Sequence, residues 1–218
     1  MKKNTACVGC SRVVCESGQK DLALPECPMQ TDPALIDEMR QLYDKPGTHE
    51  FAKQAAIQGY ECFVKLEDGR TPVKTRIQET VEFAEKMGYK KLGLAFCGGL
   101  RNEAKIINQV LLKHGFEVVS VCCKVGGYSS EILGIAPEKN NAPYAHFPSM
   151  CNPLTQAEIL NRAKTELNIM VGLCVGHDAL FLQRAKAPTT VLIVKDRVLG
   201  NNPAAALYTS GKYYCKLL

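Results

Sequence analysis

The sequence predicts an α/β protein, a Rossmann-like three-layer sandwich with a mostly parallel sheet of four or five strands, and three observations carry that reading. Short runs such as Leu92 to Phe96 and Ile169 to Leu173 are apolar at nearly every position, as strands buried on both faces are. Between them the apolar period changes to three or four residues, the signature of helices packed on a sheet. Reactive side chains fall where the predicted strands end, and open α/β sheets bind ligands outside those ends.

Taken in order, residues 1–30 read as a cysteine-rich leader and 31–218 as the α/β domain, with a helical lead-in at 31–88. The leader sets Cys7, Cys10, Cys15 and Cys27 among Gly, Ser, Glu, Lys and Pro, and buries too little apolar surface to fold unaided. Asp32 and Pro33 open a first helix running to about Tyr43, and Lys45-Pro46-Gly47 breaks it. A second helix is expected from Thr48 to Val64. A third opens with Thr71 as cap and Pro72 at its first position, with Val73, Ile77, Val81 and Ala84 as its stripe. Gly88 ends it.

Leu92 to Phe96 is the first strand of the sheet, followed by Cys97-Gly98-Gly99 and a helix over 100–114. Phe116 to Cys122 is the next strand. Residues 124–154 lack periodicity, and a loop of that length inside a domain is usually functional. Thr155 and Glu158 form a capping-box pattern for a helix to about Glu166. A strand at 169–173, a helix from Asp178 (its expected cap) to Lys186 and a strand at 190–194 complete the alternation. The tail from Tyr208 is expected to add an edge strand.

The 218 residues suffice for one substantial domain, and 46% apolar content is ordinary for a soluble protein. No apolar run approaches the roughly 18 residues of a membrane span. The start, Met1 to Cys7, lacks the apolar core of a signal peptide, so the expected location is cytoplasmic with no membrane partner. The net charge of +5 is mild, and no aromatic-basic interleaving points to bases, so no nucleic-acid partner is expected.

The 11 cysteines are the anomaly. In a reducing compartment clustered cysteines point to metal or redox chemistry more than to bridges. Cys7-x2-Cys10-x4-Cys15-x11-Cys27-Pro28 supplies four thiolates, the ligand set of a structural zinc or of a cubane cluster. Thiolates serve both, so Zn2+ and [4Fe-4S] stay as alternatives, with two metal sites allowed. A second set is assembled by the fold. Cys97, Cys123 and Cys174 follow three parallel strands, and Cys151 lies in the long loop that can fold over the same edge. Neighbouring strand residues face opposite ways, so Cys122 and Cys123 do not both serve, and Cys123 is the choice. Buried free cysteine is otherwise a small hydrophobe.

Cys97 lies between a strand end and a helix start, where backbone N–H groups favour thiolate, and Gly98 and Gly99 let an anion approach. His177 stands three residues beyond Cys174 as a candidate base, ligand or substrate contact. Cys97 and His177 are therefore the catalytic candidates. His49, His114 and His146 read as surface residues, and Lys195-Asp196-Arg197 as an anion contact or, the preferred reading, a solvated strand end.

The leader Cys-x-x-Cys with its later Cys-Pro resembles the domain of unknown function 1847 family. So do Phe-Cys-Gly-Gly-Leu, Cys-Lys, Cys-Asn-Pro, Gly-Leu-Cys-Val-Gly-His-Asp (Gly172 to Asp178) and Val-Lys-Asp-Arg. These are uncharacterised, cysteine-rich prokaryotic proteins regarded as metal-binding. The resemblance spans essentially the whole chain. It implies metal binding through Cys7, Cys10, Cys15, Cys27, Cys97, Cys123, Cys151 and Cys174, and supplies no reaction. Where such proteins often carry His-Asn-Pro, this chain has Asn201-Asn202-Pro203, so no histidine there joins the set.

The leading expectation is a metalloprotein with a structural leader site and a working site at the strand edge, for redox or metal-assisted chemistry on a small molecule. A non-enzymatic module for metal storage, sensing or delivery is the alternative. A metal-free cysteine hydrolase or transferase using Cys97 and His177 is a third reading.

Overall fold

The structure is a computed structural model and describes residues 7–67, 69–136 and 147–217. The chain divides into two compact units, 1–60 and 61–218. His146 and part of the long loop lie outside the described residues.

The first unit is helical. A 3-10 turn at Cys7–Gly9 precedes two one-turn helices, α1 (Val14–Ser17) and α2 (Pro28–Thr31). Longer helices α3 (Pro33–Gln41) and α4 (Pro46–Glu61) follow. Pro33 and Pro46 each open a helix, where a missing N–H costs nothing because the first turn has no acceptor for it.

The second unit opens with a two-stranded antiparallel hairpin, β1 (Phe63–Leu66) and β2 (Gly69–Pro72). This corrects two expectations. The second helix stops at Glu61 instead of Val64, and Thr71 and Pro72 end a strand instead of capping a helix. The following helix, α5 (Arg76–Lys86), is capped at Thr75, whose backbone N–H donates to Gln78 Oε1 at 2.8 Å. Thr71-Pro72 satisfies the composition of a cap, but Thr75 with Gln78 satisfies the reciprocal geometry.

The sheet comprises β3 (Lys91–Phe96), β4 (Glu117–Cys122), β5 (Leu167–Val171) and β6 (Thr189–Ile193). All pairings are parallel, in the spatial order β4-β3-β5-β6. The connections are carried by α6 (Arg101–Lys113), α7 (Pro153–Ala163) and α8 (His177–Arg184). From β3 the chain steps outward to β4, then returns past β3 to β5. The topological switch point therefore lies between the C-terminal ends of β3 and β5, where doubly wound sheets bind ligands.

Alternation along β3 places the two helical layers. A Cβ added at Gly93 would collide with Asn168 Oδ1 and approach the Leu160 side chain of α7 to 2.8 Å, so Gly93 faces α7. Leu94 faces the other way, where it shares a cavity wall with α6. The core joins Leu92, Leu94, Ile169 and Val171 of the strands to Leu111, Leu160 and Phe181 of the helices, all at most 1% exposed. Asn168 is fully buried among them and accepts a 2.8 Å hydrogen bond from Thr165. The missing side chain at Gly93 makes that room.

Three further boundaries differ. Asn152, not Thr155, caps α7 by accepting the Thr155 N–H at 3.1 Å, with Pro153 at the first helical position. Gly176 caps α8, so Asp178 lies inside its first turn. The tail forms a short helix, α9 (Ala204–Tyr208), and a 3-10 turn at Cys215–Leu217 instead of an edge strand. Among the described residues no helix is long and apolar enough to cross a membrane.

Candidate functional site

Three of the predicted cysteines meet at the C-terminal edge of the sheet. Cys97 is the first residue beyond β3 and Cys123 the first beyond β4. The Cys123 N–H donates to Phe96 O at 2.8 Å, which extends the strand ladder to the thiol itself. Cys151 arrives from the long loop just before α7, held by the Asn152 N–H donating to Cys123 O at 2.7 Å. Its sulfur lies 3.8 Å from Cys123 Sγ. Cys97 and Cys123 are also linked side chain to side chain. Cys123 is the innermost, at 2% exposure, while Cys151 is half-buried.

One buried amide holds the two strand ends together. Gln156 of α7 is fully buried and donates through Nε2 to Val121 O at 2.7 Å and Phe96 O at 3.3 Å. Its Oε1 has no hydrogen-bond partner among the described residues. The amide thus bridges the last turns of β3 and β4 directly beneath Cys97 and Cys123.

The electrostatics of the trio follow from one proton and one cation. The Cys97 thiol is held well below its ordinary range, first by the hydrogen bond from Cys123 and then, against the opposing effect of burial, by Lys195 and the Gly99 N–H. Lys195 Nζ stands 3.0 Å from Cys97 Sγ. Cys123 is pushed up, because its proton serves the neighbouring sulfurs of Cys151 and Cys97 and because it is buried. Cys151 is lowered by the same Cys123 hydrogen bond, with Lys124 and His177 adding attraction. Cys123 carries a single S–H and serves one neighbour at a time. Cys97 keeps its cation in either arrangement, so it is the more firmly ionised.

The glycines after Cys97 act through sulfur. Gly98 N–H donates to Cys123 Sγ at 3.2 Å, and Gly99 N–H supports Cys97. Gly99 also clears the path of Lys195: a Cβ there would sit 3.2 Å from Nζ. Gly172, just past β5 at φ +62°, would drive a Cβ into Leu100 and to 3.8 Å from the Lys195 stem. Lys195 therefore runs through a slot that two glycines leave open.

Cys174 is placed differently. It lies three residues past β5 and accepts from Arg197 Nη2 at 3.0 Å, and no sulfur contact ties it to the other three among the described residues. His177 opens α8, and its Nδ1 is buried without a hydrogen-bond partner among the described residues. Its electrostatic neighbour is Cys151, and no hydrogen bond joins it to Cys97. His114 is exposed and pairs with Glu85 at 2.9 Å.

What sequence reasoning missed is the part played by Lys195 and Arg197, weighed there only as an anion contact or a solvated strand end. Both follow β6, and each reaches a thiol. The available signal was their position, since basic residues directly after a parallel strand lie on the same edge as the cysteines after the other strands. Asp196 between them accepts the Val198 and Leu199 N–H groups and shapes the turn.

The leader cysteines form a separate cluster in the first unit. Cys7, Cys10 and Cys27 line one cavity of about 150 Å³ together with Leu24, Glu26 and Pro28. Cys15 does not line it. Cys10 Sγ accepts the Val13 N–H at 3.4 Å, and Val13 is in the left-handed conformation. Among the described residues no three or more His, Cys, Asp or Glu side chains are grouped as the ligands of one metal ion.

A cysteine-rich α/β protein with a thiol cluster at the carboxyl edge of a four-stranded parallel sheet is the class these features define. The chain belongs to the DUF1847 family, a protein family of unknown function, whose model matches residues 27–192. The match includes Cys97, Cys123, Cys151 and Cys174 and leaves Cys7, Cys10 and Cys15 outside. The chain is also similar to the uncharacterized protein MJ0455 of Methanocaldococcus jannaschii, with 43% identity over 212 residues and 97% of each chain covered.

Proposed function

We propose that the strand-edge cluster is the working centre of a thiolate metalloprotein and that it takes one soft metal ion of the zinc class. The observation that carries this is the 3.8 Å separation of Cys123 Sγ and Cys151 Sγ. Thiolates 2.3 Å from a tetrahedral ion stand ~3.8 Å apart. A cubane cluster binds each thiolate to a different iron and holds the sulfurs farther apart. Cys97, linked to Cys123, would be the third donor and His177, whose buried Nδ1 lacks a partner among the described residues, the fourth. The four side chains are not grouped around one point as they stand, so the ion would have to draw them together. A bound ion of this kind supplies Lewis acidity and a polarised water or ligand. The chain's own residues would hold the thiolates ionised through Lys195 and the Gly98 and Gly99 amides, and keep Cys123 dry.

The leader fits a different occupant. Cys7, Cys10 and Cys27 share the lining of a cavity of about 150 Å³. That favours a bulkier group such as an iron–sulfur cluster, in a structural role for a segment with little apolar surface of its own.

The Lys195 contact supports a second reading, in which Cys97 works as a metal-free thiolate. The test is elemental analysis and visible absorption of protein purified without oxygen, for the full chain and for a Cys7→Ser/Cys10→Ser/Cys27→Ser variant. The metal reading expects the leader variant to retain about one zinc-class ion per chain, and Cys123→Ser to remove it. A folded leader variant free of metal, with reactivity lost on Cys97→Ser, would establish the thiolate reading instead.

A further inference from the structure

A second site lies against α6, on the face of β3 opposite α7. A cavity of about 220 Å³ opens there, floored by Leu94 and Phe96 of β3 and walled by Ser120 of β4 and by Arg101, Lys105 and Asn108 of α6. Arg101, Lys105 and Asn108 are spaced i, i+4 and i+7, so they form one stripe of the helix. It runs beside the buried stripe of Ala104, Ile107 and Leu111 that holds α6 on the sheet.

Three features set this cavity apart from an ordinary solvated helix face. The floor is apolar: Leu94 is 1% exposed and Phe96 half-buried. Ser120, paired in register with Leu94, is exposed on edge strand β4, so α6 leaves that part of the strand uncovered. The two cations make no hydrogen bond or ion pair with the described residues. By contrast Lys74, Lys86, Lys91 and Arg184 of the same unit all have carboxylate partners.

We propose that this cavity binds a small phosphate monoester with an apolar body. The guanidinium of Arg101 matches two phosphate oxygens at once, and Lys105 adds a second positive charge for a dianion. Ser120 and Asn108 supply hydrogen bonds, and Leu94 with Phe96 receives the apolar part. The volume lies below the ~300–1,000 Å³ of drug-sized pockets, which limits the ligand to a small metabolite or the tip of a larger one. The site is independent of the thiol cluster, and neither cation contacts a cysteine.

The experiment is calorimetric titration of the full chain with phenyl phosphate, with inorganic phosphate and benzyl alcohol as the two halves of the probe. Saturable 1:1 binding of phenyl phosphate is expected, at least tenfold tighter than inorganic phosphate, with none for benzyl alcohol. Arg101→Gln/Lys105→Gln should weaken it tenfold or more, and Ser120→Leu should block it by filling the cavity. Lys113→Gln, farther along the same helix, should leave it unchanged. Circular dichroism checks that each variant is folded. Absence of saturable binding overturns the proposal. So does equal loss in Lys113→Gln, or affinity for inorganic phosphate equal to that for phenyl phosphate.

Discussion

Lys195 Nζ lies 3.0 Å from Cys97 Sγ, although 98 residues separate the two in the chain. The contact joins the end of β6 to the end of β3 across the intervening strand β5. It puts a cation against a thiol that is only 8% exposed. Removing the charge while keeping the stem, as in Lys195→Met, should raise the pH at which Cys97 ionises. The sign follows because Lys195 attracts the thiolate and not the thiol. Ultraviolet thiolate absorbance of metal-free protein, with Cys97→Ser as the subtraction, measures the shift. An unchanged titration would remove Lys195 from any role at the site.

Gly172→Ala should destabilise the second unit by about 2–6 kcal/mol. The position has φ +62°, and the new Cβ would collide with Leu100, which is 3% exposed. Backbone strain and overpacking each contribute roughly 1–3 kcal/mol. Adding Leu100→Ala should relieve the collision and not the backbone strain, so urea denaturation should find the pair no more stable than Leu100→Ala alone.

Gly93→Ala should cost about 1–3 kcal/mol by a different route, since its backbone is unstrained and only the collision with Asn168 and Leu160 matters. Asn168 would have to give up its place beside Thr165. Pairing Gly93→Ala with Asn168→Ala should recover part of the loss in denaturation midpoints, because the offending Oδ1 is then gone. Strict additivity of the two losses would show that Asn168 is not what confines position 93.

Glu166 gives the fold a pH dependence of its own. Its carboxylate accepts the Lys91 N–H at 2.8 Å and the Lys90 N–H at 2.6 Å, and these bonds hold its pKa below the ordinary value. A depressed carboxylate stabilises the fold above its unfolded pKa, about 4.3, and that contribution fades as pH falls through the folded value. The group is well solvated, so its worth is about 1 kcal/mol. Glu166→Gln should therefore lower stability at pH 7, and the difference from the unmodified chain should shrink toward pH 3. A gap that stays constant with pH would mean that the ionised form is not what matters.

Much of the sheet was legible because parallel strands buried on both faces leave uniform apolar runs, as at Leu92 to Phe96. The positions of Cys97 and Cys123 at two strand exits followed from the same pattern. The hairpin at Phe63 to Pro72 was not legible: its strands are exposed on both faces and four residues long, so no burial period marks them. Cys174 shows a second limit. Its strand was placed correctly to within two residues, yet the chain passes through a positive-φ glycine before reaching it, and the side chain meets Arg197 instead of the other thiols. Pairings of that kind depend on turn geometry and side-chain reach, which residue spacing does not encode.

The three edge sulfurs come from two connections, Cys97 after β3 and Cys123 and Cys151 at opposite ends of the long link from β4 to α7, and only the folded sheet brings them together. An unfolded chain holds nothing resembling that grouping. Whatever binds there by preference is therefore a fold-selective ligand, and at a hundredfold excess over its dissociation constant it would add about 2.7 kcal/mol to stability. Occupancy of the thiol edge and resistance to unfolding would then become one variable.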